Sequence, residues 1–287
     1  MIVQLLLGVA CAVQMQVASA TLVTANGAFK SSVAHGLQAL SLLVASATSD
    51  FRDSHPFITS KDFLAYMREG RQGDQDDAIS RYNQFAAAYP MYKLSPRKMD
   101  LLLDYLSRSC AGRTDKGYNI LEIGSFYGYS ALNIALNMPA GAQLTLVEAN
   151  AESCEVIREV LDRALLGSKR SEVRSRIKLI NGLSSRVISG GELNPVRGFY
   201  DFVFMDHDKS SYLKDLLLLE ERGLVGRGTV LAADNVVFPG APDYVARVTG
   251  DSARYDTQIV PAPFERVAFE TGFEEVADGM AFTTLLM

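Results

Sequence analysis

The sequence predicts an α/β fold built on a doubly wound, mostly parallel sheet of seven strands, with an antiparallel strand at the carboxyl end. Three observations predict it. Short apolar runs at 118–124, 142–149, 176–182, 199–206 and 228–235 alternate with helical patterns such as AESCEVIREVLDRAL and SSYLKDLLLLEERG, the mark of a parallel sheet covered on both faces. The tail, roughly 255–287, carries DTQIVPA and MAFTTLLM with no helix between them, which reads as an antiparallel closure. The first strand runs into a turn bounded by glycines that opens a helix, the corner where such sheets bind ligands.

Composition sets the outer limits. The 287-residue chain is 48% hydrophobic and 21% charged, which suits a globular protein with a sizeable core. A net charge of -5 argues against nucleic-acid partners, because phosphate recognition needs a basic face. Cys11, Cys110 and Cys154 are too few for a disulfide framework and match no metal-ligand spacing. Cys110 and Cys154 therefore read as core or helix thiols.

Residues 1–20 are apolar from Ile2 to Val13 and then reach Val17-Ala18-Ser19-Ala20, a small-x-small run. This reads as a secretory signal cleaved after Ala20, placing the protein in the secretory pathway or outside the cell. No Lys or Arg precedes the apolar run, so an uncleaved membrane anchor and an organelle-targeting leader are the alternatives. Residues 21–75 lack a clear period and read as an extension or linker, which leaves 76–287 as the folded domain, expected as a monomer.

Within that domain lies SPRKMDLLLDYLSRSCAG, in which Ser95 is a candidate N-cap, Pro96 the first helical residue, and Gly112 follows the end. The first strand then leads into EIGSFYGYS, where Gly124 and Gly128 flank a turn before the helix YSALNIALNM. Taken alone, this G-x-x-x-G spacing is weak and fits any tight strand-to-helix turn. The second strand adds Glu148 at its carboxyl end, where a carboxylate accepts from ribose hydroxyls. The loop is not G-x-G-x-x-G, and Glu122 at the end of the first strand would repel a pyrophosphate. S-adenosylmethionine, a nucleoside with a cationic amino-acid tail and no phosphate, fits better.

The fourth and fifth strands end in Asp206 and in Asp234-Asn235. One such acid alone reads as a helix cap. Three hard oxygen donors from neighbouring strand ends suit Mg²⁺, with open positions left for substrate and water. Lys209, three residues beyond Asp206, reads as a solvated lysine by itself and as a proton acceptor beside a divalent cation. His207 reads as a second base or as a cofactor contact.

The stretches LEIGSFYGYSALNIA, LVEAN, FMDHDKSSYLKDLLLLEERGLVGRGTVLAADNVVFPGAPDYVARVTG and the late ADG together resemble the catechol O-methyltransferase family. The resemblance covers 76–287 and is densest over 118–250. It implies a class I, Rossmann-like methyltransferase fold and transfer of a methyl group to one hydroxyl of a small-molecule catechol. It also implies roles. Asp206, Asp234 and Asn235 hold Mg²⁺, and Lys209 is the base. Glu148 takes the ribose, while Glu122, Gly124, Ser130 and the backbone near Met91 hold the methionine part. Ser184 and His207 lie by the adenine, and Lys209, Asn235 and Glu270 meet the substrate. The chain departs from the family in three places. Asp208 stands where a tryptophan follows the histidine, and AYPMYKLSP offers Tyr89, Met91 and Tyr92 in a loop that usually carries another. The second substrate-binding acid falls on Gly272, so Glu270 is expected to replace it. Methylation of another vicinal-diol phenolic of caffeoyl type, and a cofactor-binding module without catalysis, are the competing readings.

Overall fold

The computed structural model describes residues 59–287 apart from 90, 112–116 and 265–276. The expectations for the leader, for Gly112 as a helix stop, and for Glu270 and Gly272 lie outside the described residues. Five strands run parallel: β1 (Asn119–Ile123), β2 (Gln143–Glu148), β3 (Ile177–Asn181), β4 (Phe202–Met205) and β5 (Val230–Ala233). β6 (Tyr255–Pro261) and β7 (Gly279–Leu285) complete one sheet in the order β3-β2-β1-β4-β5-β7-β6. β7 pairs antiparallel with both β5 and β6, so it alone runs against the others. This is the seven-stranded, mostly parallel sheet that the sequence predicts.

Nine helices are described: α1 (Ser60–Arg68), α2 (Gln75–Ala88), α3 (Pro96–Cys110), α4 (Tyr129–Asn137), α5 (Ala151–Ala164), α6 (Ser168–Ser175), α7 (Ser184–Ser189), α8 (Tyr212–Glu221) and α9 (Pro242–Gly250). The central strands β1 and β4 are buried along their whole length, as strands covered on both faces must be. β4 therefore reads as a continuous apolar run, Phe-Val-Phe-Met, rather than an alternating one. α3 begins as its sequence dictates: Ser95 accepts from the Lys98 amide and Pro96 opens the first turn. Cys154 is buried in α5 and Cys110 ends α3, both as free thiols.

The residues just ahead of position 76 are structured. α1 is started by a reciprocal cap between Thr59 and Asp62 and buries Phe63 and Met67. Arg68 makes two hydrogen bonds to the Glu159 carboxylate on α5, at 2.6 and 2.7 Å. Phe63 stacks on Tyr127 at 5.0 Å, so this helix backs the loop after β1. With only two inward residues in nine, α1 has too short a period to stand out in the sequence.

Candidate active site

The strand order reverses between β1 and β4, and open α/β sheets bind ligands outside the carboxyl ends of strands at such a point. The two strand ends are pressed together. Gly124 follows β1 with φ of 90°, and a Cβ there would lie 2.4 Å from the Asp206 carbonyl oxygen. Glycine is needed for both reasons, so Gly124 shapes the floor of the site and lets the loop pass over it.

The loop then reaches Gly128, which caps α4 with φ of 84°. Tyr82 of α2, itself fully buried, donates to the Tyr127 carbonyl and ties this loop from behind. Glu148, at the end of β2, accepts from the Phe126 amide through Oε2 and from the Asn150 amide through Oε1, both at 2.8 Å. The carboxylate is thus fixed beside the loop, as a ribose acceptor would be. Glu122 is fully buried and accepts from the Ser130 hydroxyl at 2.5 Å. Burial, with smaller contributions from Asp206 and Glu148, pushes its carboxyl up to about 8.

On the other side, Met205 pairs with Ala233 in the β4–β5 ladder, which brings Asp206 and Asp234 out side by side. Lys209 sits in a short 3₁₀ turn (Lys209–Ser211) just before α8, with Nζ 2.8 Å from Asp206 Oδ1 and 2.9 Å from the Tyr212 hydroxyl. Tyr212 is fully buried and bonds the carbonyl oxygens of Met205 and Asp234, stitching the two strand ends together. Its phenol is held well above its ordinary pKa by burial and by Asp206 and Asp234, so it stays a neutral donor. Asn235 takes a left-handed backbone with φ of 55°, a conformation asparagine tolerates.

A cavity of about 360 Å³ is lined by Met91, Gly124, Ser130, Asp206, Lys209, Asp234 and Asn235 together. Tyr92, Tyr129 and Phe264 supply aromatic wall. Of the loop residues Tyr89, Met91 and Tyr92, Tyr89 packs against Phe85 at 4.8 Å and does not line the cavity. Glu122, Glu148, Ser184 and His207 also lie off its lining. Glu122 reaches it through Ser130, and Ser184 opens α7 beyond β3. His207 Nε2 lies 2.8 Å from the buried Asp215 carboxylate, which ties the ring to α8. Asp208 caps the 3₁₀ turn by accepting from Ser210 and Ser211.

The donor set suits a hard divalent cation in chemistry: two carboxylates and an amide, all oxygen, on one cavity wall. Among the described residues there is no group of three or more His, Cys, Asp or Glu that could hold a metal ion, so any such cation relies on the Asn235 amide and on ligands from outside the protein.

Sequence reasoning missed four buried polar partners here: Lys98, Asp215, Tyr212 and Asp278. Asp278 accepts from the Asn235 side-chain amide at 2.9 Å and from the Phe238 amide at 2.9 Å. Lys98 had a signal, since it falls on the buried stripe of α3 with Leu101 and Leu102.

Residues 114–260 match the model of a family described as O-methyltransferase, about half of the chain. The chain is 40% identical over 134 residues to catechol O-methyltransferase of Mus musculus, covering 47% of this chain and 48% of that one. It is also 40% identical over 131 residues to catechol O-methyltransferase of Sus scrofa, covering 46% of this chain and 67% of that one. The match thus spans about half the length of the mouse relative. Among solved structures, an O-methyltransferase from Bacillus cereus in complex with SAH superposes with a TM-score of 0.56 at 20% identity, covering 72% of this chain and 90% of that one. The chain belongs to the O-methyltransferase family.

Proposed function

We propose that this chain transfers the methyl group of S-adenosylmethionine to one hydroxyl of a catechol, with Mg²⁺ as the metal. One observation carries the reading: Asp206, Lys209, Asp234 and Asn235 line the same cavity as the Gly124 loop and Ser130. A binding module has no use for a lysine and three oxygen donors set against its cofactor loop. The names of the mammalian relatives and the bound SAH of the Bacillus cereus neighbour point the same way.

In this reading Glu122, once ionised, accepts from the ammonium of the cofactor tail, and Ser130 fixes its carboxylate. Glu148 accepts from the ribose hydroxyls, while Ser184 and His207 border the adenine. Mg²⁺, when bound by Asp206, Asp234 and Asn235, supplies Lewis-acid charge that makes an acceptor hydroxyl more acidic. Lys209, as the neutral amine that a neighbouring divalent cation would favour, takes the hydroxyl proton, the oxygen attacks the methyl carbon, and the carbon–sulfur bond breaks to leave the neutral sulfide. Aligning two bound reactants contributes up to about 7–11 kcal/mol in well-oriented cases.

The test is product formation from labelled S-adenosylmethionine over a panel of vicinal diphenols, caffeoyl-type phenolics and matched monophenols, with Mg²⁺ or with chelator. Single methylation of diphenols, lost on chelation, supports the reading. Monophenols reacting as fast as diphenols in chelator would rule out the metal-assisted mechanism. A preference for caffeoyl-type acceptors would move the substrate assignment while keeping the chemistry.

A further inference from the structure

We propose that Lys98 is a positioning residue: a built-in counter-cation that holds the acidic end of the site together and sets how strongly a divalent cation binds there. The inference rests on the metal reading above. Lysine is almost never fully buried unless paired, and the Lys98 side chain is 0% exposed. Its Nζ lies 2.9 Å from Asp234 Oδ1 and 2.7 Å from Asp278 Oδ2, both carboxylates being buried as well. Two carboxylates this close and this dry repel, and each pays for lost hydration; the ammonium between them offsets both effects.

The arrangement reaches two of the three proposed metal donors. Asp234 is held directly. Asn235 is held through Asp278, which accepts from Asn235 Nδ2 at 2.9 Å and from the amides of Val237 and Phe238 at 3.3 and 2.9 Å. Because the NH₂ end of the Asn235 amide is turned to Asp278, its oxygen end is directed elsewhere, and oxygen is the end a hard cation requires. A cation arriving at Asp234 therefore meets donors that are already assembled, beside a fixed positive charge that weakens its hold. Lys98 trades metal affinity for a site that keeps its shape without metal.

The test uses the full chain, thermal melts, and Mn²⁺ binding followed by paramagnetic resonance. Lys98→Met keeps the length and removes the charge. In chelator it should melt about 6 °C or more below wild type, as expected for a buried charge pair broken on one side. Saturating Mn²⁺ should restore at least half of that gap, and Mn²⁺ should bind about tenfold tighter than to wild type. Asp278→Asn makes the opposite change, removing one of the carboxylates that share Lys98, and should weaken Mn²⁺ binding about tenfold. This second variant decides the matter if Lys98→Met does not fold. An equal loss of melting temperature with and without Mn²⁺, at unchanged Mn²⁺ affinity, would overturn the inference while leaving the metal reading intact. Wild type that binds no Mn²⁺ would remove the metal reading, and the inference with it.

Discussion

Ser130 and Glu122 form a buried pair in which the hydroxyl donates to Oε1 at 2.5 Å, while Oε2 makes no hydrogen bond among the described residues. The free oxygen is the one a cofactor ammonium would meet. Its carboxyl is pushed from 4.5 up to about 8, first by burial and then by Asp206 and Glu148, with Ser130 acting against the rise. A group whose folded pKa lies above its unfolded value holds its proton in the folded state after the unfolded chain has lost it. The stability it contributes is full below about 4.5 and is lost as pH rises through about 8. The melting temperature of wild type should therefore decline across that window relative to Glu122→Gln. An ammonium ligand favours the ionised carboxylate, so S-adenosylmethionine should bind wild type more tightly as pH climbs toward 8, and Glu122→Gln weakly throughout. Parallel melting curves for the two proteins across the window would contradict this account.

Glu148 is already engaged through both oxygens, to Phe126 and Asn150 amides at 2.8 Å each. These bonds aim the carboxylate and leave lone pairs for two ribose hydroxyls. Glu148→Ala should cost S-adenosylmethionine about 1.5–3 kcal/mol, the worth of hydrogen bonds to a charged group. Calorimetric affinity equal to wild type would remove Glu148 from the ribose.

The parts of this site that were legible in the sequence share a cause. Asp206, Lys209, Asp234 and Glu148 stand at the ends of apolar strands, where alternation with helices fixes which way the chain turns and which end faces the ligand. The fold was legible for the same reason, since β1 and β4 are buried throughout and are mostly apolar, β4 without a break. What was not legible depends on contacts between segments far apart in the chain. Lys98 meets Asp278 across 180 positions, and nothing local to either residue announces the other. His207 looked available because Asp215, eight residues on, reads as one acid on the polar side of a helix, yet it is fully buried against the ring. α1 escaped notice because two inward residues make no period.

Lys209 is held by Asp206 and by the neutral Tyr212 hydroxyl. Lys209→Ala should abolish turnover with S-adenosylmethionine affinity nearly unchanged, because none of the proposed cofactor contacts runs through the lysine. Lys209→Arg should fail to restore activity, since a guanidinium does not give up its proton. Steady-state rates set beside calorimetric affinities decide it: a fully active arginine variant means that the proton leaves by another path.

Gly124 separates backbone strain from close packing, and a pair of variants can tell them apart. At Gly124 a side chain meets two obstacles. The backbone has φ of 90°, costing an L-residue about 1–2 kcal/mol, and the new Cβ would lie 2.4 Å from the Asp206 carbonyl oxygen and 2.8 Å from the His207 amide nitrogen. Neither contact can be relieved by a rotamer, because both are backbone. The strands cannot part cheaply either: the Asp206 amide donates to the Ile123 carbonyl at 2.9 Å, and the Gly124 amide donates to Val147 at 2.9 Å. Overpacking of this kind adds about 1–3 kcal/mol. Gly128 is the control. It also has positive φ, 84°, but its Cβ would come no nearer than 3.4 Å, to the Ile157 side chain. Gly128→Ala should thus carry the φ cost alone, and Gly124→Ala about 2–5 kcal/mol in all, visible as the larger drop in melting temperature. The consequences for chemistry should differ as well. To make room, Gly124→Ala must push the Asp206–His207 peptide outward, shifting Asp206 and the Lys209 side chain bonded to it. A displacement of about 1 Å can cost about 10²-fold in rate. Assayed well below its melting point, Gly124→Ala should therefore lose activity out of proportion to its lost stability. Equal destabilisation in the two alanine variants, with equal rates, would mean that the close approach of the two strand ends does not set the geometry of the site.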